Sequence, residues 1–106
     1  MLIQVHSNHS IDVSQGLEDR VRASLASTLT RFDHYLTRLQ VHLHDENGGK
    51  GGKGGAQDKR CQIEARLKNH DPLSVTHKAE SLELAITGAT TKLGNALDHL
   101  IGKHQL

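Results

Sequence analysis

Residues 79–103 read AESLELAITGATTKLGNALDHLIGK. Within them Leu82, Ala85, Ile86, Ala89, Leu93, Ala96, Leu97 and Leu100 recur three or four places apart or as adjacent pairs, which draws one apolar stripe along an α-helix. Ser81 stands just ahead of the stripe, where a hydroxyl accepts a hydrogen bond from a free N–H of the first turn. Gly102 with Lys103 and His104 reads as the stop: a residue tolerant of left-handed dihedrals beside cations that suit a helix C-terminus. Gly88 and Gly94 each cost about 1 kcal/mol against Ala inside a helix. That cost makes sense where a neighbour packs close, or where the helix is held by docking. A stripe this narrow needs a platform, and the rest of the chain supplies one.

The platform is a set of alternating strands. Residues 2–6 place Ile3 and Val5 on one side, with Gln4 and His6 on the other. After a turn-like segment, Ser14 caps a helix predicted to run to about Arg31. Its stripe is Leu17, Val21, Leu25, Leu29 and Phe32; Arg20, Arg22 and Arg31 fall off it and are expected in solvent. Residues 37–44 alternate again, with Leu39, Val41 and Leu43 inward, and residues 59–68 do the same with Cys61, Ile63, Ala65 and Leu67. Pro72 opens a fourth strand, where a missing N–H is tolerated, and Leu73 and Val75 point inward from it. Between strands two and three lies GGKGGKGG; residues 47–58 cannot bury apolar area and are expected to form a flexible Gly/Lys loop.

The element order is β-α-β-β-β-α. The first crossover makes strands one and two parallel, and strands two to four form an antiparallel meander. Clean alternation buries one face only. The expected fold is a two-layer α+β domain, a four-stranded mixed sheet with two helices on one face, spanning residues 1–106 as one domain.

Composition narrows the function. No run of about 18 apolar residues exists, so no membrane span or membrane partner is expected. The start lacks the pattern of a signal peptide, and a single cysteine, Cys61, forms no internal disulfide, which fits a cytoplasmic protein. Cys61 reads as a small core side chain. Net charge is only +1, yet the alternation sorts it. The open face carries Gln4, His6, Arg38, Gln40, His42, His44, Arg60, Gln62, Glu64, Arg66, Lys68, Ser74, Thr76 and Lys78. Its fixed cations, Arg38, Arg60, Arg66, Lys68 and Lys78, face one fixed anion, Glu64. Such a patch suits a polyanion, with counterion release as the driving force. The plain alternative is a solvated face that needs charge for solubility. Phe32 and Tyr35 are the only aromatics, which argues against stacking of single-stranded bases.

Enzymatic chemistry has no visible basis. No serine sits in a G-x-S-x-G elbow, and GGKGGKGG lacks the GK[ST] ending and following helix of a P-loop. His42 and His44, with Asp45 next and His6 across strands, have a spacing that can chelate, but no Cys/His finger or HExxH pattern accompanies them. No metal, cofactor or small-molecule substrate is expected.

Ala85-Ile86-Thr87-Gly88-Ala89-Thr90-Thr91-Lys92-Leu93 resembles the A-I-(five residues)-K-L signature of the hibernation-promoting factors, also called ribosome-associated inhibitors or sigma-54 modulation proteins. Leu97 continues it, and Ile3-Gln4-Val5, Asn8 and the segment 17–21 are similar at the front. The resemblance implies that family's fold, like a double-stranded-RNA-binding domain with an added strand. It also implies a partner, the small ribosomal subunit and its rRNA, bound in the mRNA/tRNA channel so that ribosomes stay idle in stationary phase or stress. Lys92 matches the motif lysine, and Lys78 a lysine found before the last helix in some members. With Arg38, Arg60, Arg66 and Lys68 from the alternation, these make the expected rRNA-binding set. Ser81-Leu82-Glu83 departs from the D-M-Y common at that helix start, and the basic C-terminal tail shrinks to Lys103-His104. A short-form member, without the C-terminal domain of long-form members, is what the resemblance leads one to expect. A different class of function, a regulatory module that pairs with a protein through the sheet face or an edge strand, uses the same scaffold.

Overall fold

A computed structural model describes residues 2–7, 15–45 and 59–104. The elements are β1 (Leu2–Ser7), α1 (Gln15–Leu29), a 3-10 turn (Thr30–Phe32), β2 (Leu36–Asp45), β3 (Lys59–Leu67), β4 (Leu73–Ala79) and α2 (Leu82–His104). The sheet order is β1-β2-β3-β4, with β1 parallel to β2 and the other pairs antiparallel. This is the β-α-β-β-β-α two-layer architecture that the alternation and the helical stripes imply. The Gly/Lys segment 47–58, the Ser14 cap and the side chains of Lys103 and His104 lie outside what is described. Among the described residues no helix is long and apolar enough to cross a membrane.

Rows across the helix-facing side show how the core is assembled. Ile3, Leu39, Ala65 and Leu73 form one row, and Val5, Val41, Ile63 and Val75 the next. The stripe of α1 (Leu17, Val21, Leu25, Leu29) and that of α2 close over these rows into a single apolar cluster. Burial of this surface supplies the main driving force for the fold. Ser81 caps α2 as its position predicts: its Oγ accepts from Leu84 N at 3.2 Å, and its carbonyl oxygen accepts from Ala85 N at 3.0 Å.

Several boundaries differ from the sequence reading, each for a physical reason. Ala79, the first residue of the stretch read around the last helix, belongs to β4 and packs in the core, while α2 starts at Leu82, directly after its Ser81 cap. Gly102 does not stop α2, which continues to His104. The α2 stripe is wider than the Leu/Ala pattern suggests, because Ile101 and Thr90 are buried in it. Thr90 is accommodated because its hydroxyl donates to the Ile86 carbonyl one turn back, at 2.7 Å. Leu36 is also core, although it lies three residues before Leu39 and so off the alternation. A register shift between Leu36 and Arg38 returns it to the helix side, opposite Leu67.

The helix-layer arginines are not merely solvated. Arg20 pairs with Glu83 at 3.3 Å, joining α1 to α2, and Arg22 pairs with Glu18 at 2.8 Å. Arg31 makes a two-pronged contact with Asp98, one prong at 2.8 Å, while its guanidinium lies 4.4 Å from the centroid of the Phe32 ring.

Candidate nucleic-acid interface

The face of the sheet turned away from the helices is built in rows set by strand register. Arg38 on β2 stands opposite Arg66 on β3. Next come Gln4, Gln40, Glu64 and Ser74, then His6, His42, Gln62 and Thr76, and last His44, Arg60 and Lys78. The middle rows are tied by neutral contacts: Gln40 Nε2 donates to Gln4 Oε1 at 3.2 Å, and Gln62 Nε2 to Ser74 Oγ at 3.1 Å. Positive charge therefore gathers at the two ends of the face. From Arg38 to His44 is six residues, roughly 20 Å along a strand.

Both ends set like charges opposite one another, Arg38 against Arg66 and Arg60 against Lys78. Cross-strand like charges are destabilising in the free protein. The helix layer behaves in the opposite way, since Arg20, Arg22 and Arg31 each hold a carboxylate. Among the described residues, Arg38, Arg66 and Lys68 hold none. The Nε of Arg60 is buried without a hydrogen-bond partner. Positive charge on this face is thus less compensated by carboxylates than in the helix layer, among the described residues.

Three expected residues need comment. Lys68 lies one place beyond β3, exposed, with its backbone N–H donating to the Tyr35 carbonyl at 2.9 Å. Lys92 is not on the open face. It projects from α2 to the β4 edge, where its Nζ donates to the Thr76 carbonyl at 2.9 Å. Lys92 is exposed, and this bond uses one of the three ammonium donors. Asp45 belongs to β2 rather than to the following loop; it is buried on the helix side and pairs with Lys59 at 3.4 Å. It thus faces away from His42 and His44, and the trio that the spacing suggests for a metal does not come together.

Alternation alone does not show that His6 and His42 touch. They are register partners, and their rings stack with centroids 5.0 Å apart and planes 18° apart. Burial holds the His42 imidazole below its ordinary value, and His6 lowers it further. Glu64 pulls the other way, and His44 adds a smaller lowering. Cys61 is an inert core residue: burial alone pushes its thiol up to about 12.

A family model described as sigma 54 modulation protein / S30EA ribosomal protein matches residues 3–105. The chain belongs to this family. The resemblance carried by Ala85–Leu93 therefore points to the family that the whole chain matches. Among solved structures, the Thermus thermophilus Protein Y N-terminal domain is similar with a TM-score of 0.72 at 20% identity, over 94% of this chain and 99% of that one. A ribosomal subunit interface protein from Coxiella burnetii is similar with a TM-score of 0.69 at 14% identity, over 96% and 99%. At those identities the likeness is one of fold. No curated protein sequence matches the chain.

Proposed function

We propose that this protein is a ribosome-associated translation inhibitor. It binds the mRNA/tRNA channel of the small ribosomal subunit through its open sheet face and keeps ribosomes idle in stationary phase or stress. Membership of the sigma 54 modulation / S30EA family supports a ribosomal partner. A similar fold in a protein described as a ribosomal subunit interface protein supports it further. The observation that carries the reading is Arg38 set opposite Arg66 on the sheet face turned away from the helices, neither paired with a carboxylate among the described residues. A phosphate between such cations removes their repulsion and releases counterions.

On this reading Arg38, Arg60, Arg66, Lys68 and Lys78 contact rRNA phosphates. Lys92 stands at the rim, with ammonium donors left over from its bond to Thr76. No chemistry is asked of the protein; its effect is occupancy.

The test is sucrose-gradient sedimentation with vacant ribosomes and separated small subunits, at low and raised salt. Co-migration with the small subunit that fades with salt, and fades further in an Arg38/Arg66/Lys68/Lys78→Ala variant, is the expected result. Absence of co-migration at low salt would sink the reading. In that case an RNase-insensitive protein partner is the alternative to pursue on this scaffold.

A further inference from the structure

We propose that His6, His42, His44 and Arg60 form a phosphate-binding site on the open sheet face whose occupancy is coupled to proton uptake. The ligand class is the phosphate group of a polyanion, and the inference rests on the reading of this face as a polyanion surface.

The geometry brings the parts together. His6 and His42 are register partners with stacked rings 5.0 Å apart. His44 lies two residues further along β2 on the same side, opposite Arg60 on β3. Arg60 keeps its Nε buried, and its guanidinium carries further N–H donors in the fork geometry that fits an anion. A phosphate oxygen supplies a charged acceptor for them.

Stacked neutral imidazoles coexist easily, whereas two charged ones repel. A phosphate seated over them favours the charged form, and that is the origin of the coupling. Among the described residues of the strands, the other charged groups on this face are Glu64 on β3 and Lys78 on β4, with Arg38 and Arg66 at the far end. Gln62 and Thr76 complete the histidine row with neutral groups, and both helices lie on the opposite face. Glu64 opposes the lowering of His42 by burial, His6 and His44. Binding therefore raises the imidazole proton affinity, takes up protons and weakens as pH rises through the histidine range.

The experiment measures binding of the intact chain to vacant small subunits at constant ionic strength, at about pH 6 and about pH 8, either side of the imidazole range. Wild type is compared with a His6→Gln/His42→Gln/His44→Gln variant, so that any effect of pH on the ribosome is common to both. Wild-type affinity is expected to fall several-fold across the range, with about tenfold the ceiling set by a tenfold rise in the proton affinity of one imidazole on binding. The variant is expected to change far less. A flat wild-type profile, or a variant with the same slope, overturns the inference and leaves the ribosomal reading standing. No binding at either pH overturns both. A second measurement needs no variant: the imidazole signals of the wild-type protein are titrated by NMR with and without inorganic polyphosphate. The His42 titration is expected to move to higher pH with polyphosphate, and an unmoved titration overturns the inference.

Discussion

Arg38 and Arg66 face one another across β2 and β3 with no carboxylate between them among the described residues. Like charges set opposite one another across strands are destabilising in the free protein. Arg66→Thr is therefore expected to leave the free protein equally stable or to stabilise it by a few tenths of a kcal/mol. The same change is expected to weaken small-subunit binding and to lower the slope of log affinity against log salt by about 0.7–0.9. Urea melts and salt-dependent binding read the two effects separately. A large loss of stability would show that the pair has a structural role instead.

The His77 ring lies where a β-carbon on Gly88 would stand, whereas a methyl group at Gly94 would meet Thr28 Cγ2 at 3.8 Å, ordinary contact. Gly88→Ala is expected to lose about 1–3 kcal/mol through overpacking. Gly94→Ala is expected to gain up to about 1 kcal/mol in helix propensity. In a His77→Ala background the cost at Gly88 should largely vanish. Urea denaturation of the four proteins tests this, and equal costs at Gly88 in both backgrounds would refute the contact.

Free protein should lose stability on acidification. His42 titrates below its ordinary value of 6.5 in the folded state, mainly through burial. Between the folded and unfolded values the unfolded chain binds more protons, so stability rises with pH there. The contribution is complete above the ordinary value and is lost as pH falls through the lowered one. His42→Gln should flatten this part of a stability–pH curve measured in urea.

Cys61 is fully buried in β3 with its thiol pushed up to about 12. A thiol reagent should label it only through unfolding. The labelling rate should rise with urea in step with the unfolding transition, and fast labelling of native protein would contradict its placement.

The two edge strands are both capped by cations from the helices. Arg22 Nη2 donates to the Ile3 carbonyl on β1 at 3.3 Å, and Lys92 Nζ to the Thr76 carbonyl on β4. Removing both, as Arg22→Ala/Lys92→Ala, exposes edge acceptors and is expected to give concentration-dependent association in sedimentation velocity. A variant that stays monomeric at all concentrations would show that the caps are dispensable.

The strands and their faces were legible because each carries a strict two-residue period, and α2 because its stripe and Ser81 agree. Leu36 escaped because a register shift breaks that period locally. Thr90 escaped because its compensating bond to Ile86 is invisible until the helix is formed. The open face was legible as a set of residues but not as rows. Register between distant strands decides that Arg38 meets Arg66 and that His6 meets His42, and no local pattern encodes it. Lys92 shows the limit of a motif: position 92 is helical and exposed as expected, but which side of the sheet it serves depends on how α2 lies over β4.

The consequence of the two capped edges is one of valence. Among the described residues, helices close one layer and Arg22 and Lys92 each hold one edge-strand carbonyl, which leaves one broad sheet face for a large polyanion on the proposed function. On that function, a body built this way is expected to act as a plug rather than a bridge. On the proposed function it can fill one ribosomal channel, and joining two particles would take a second copy or another chain.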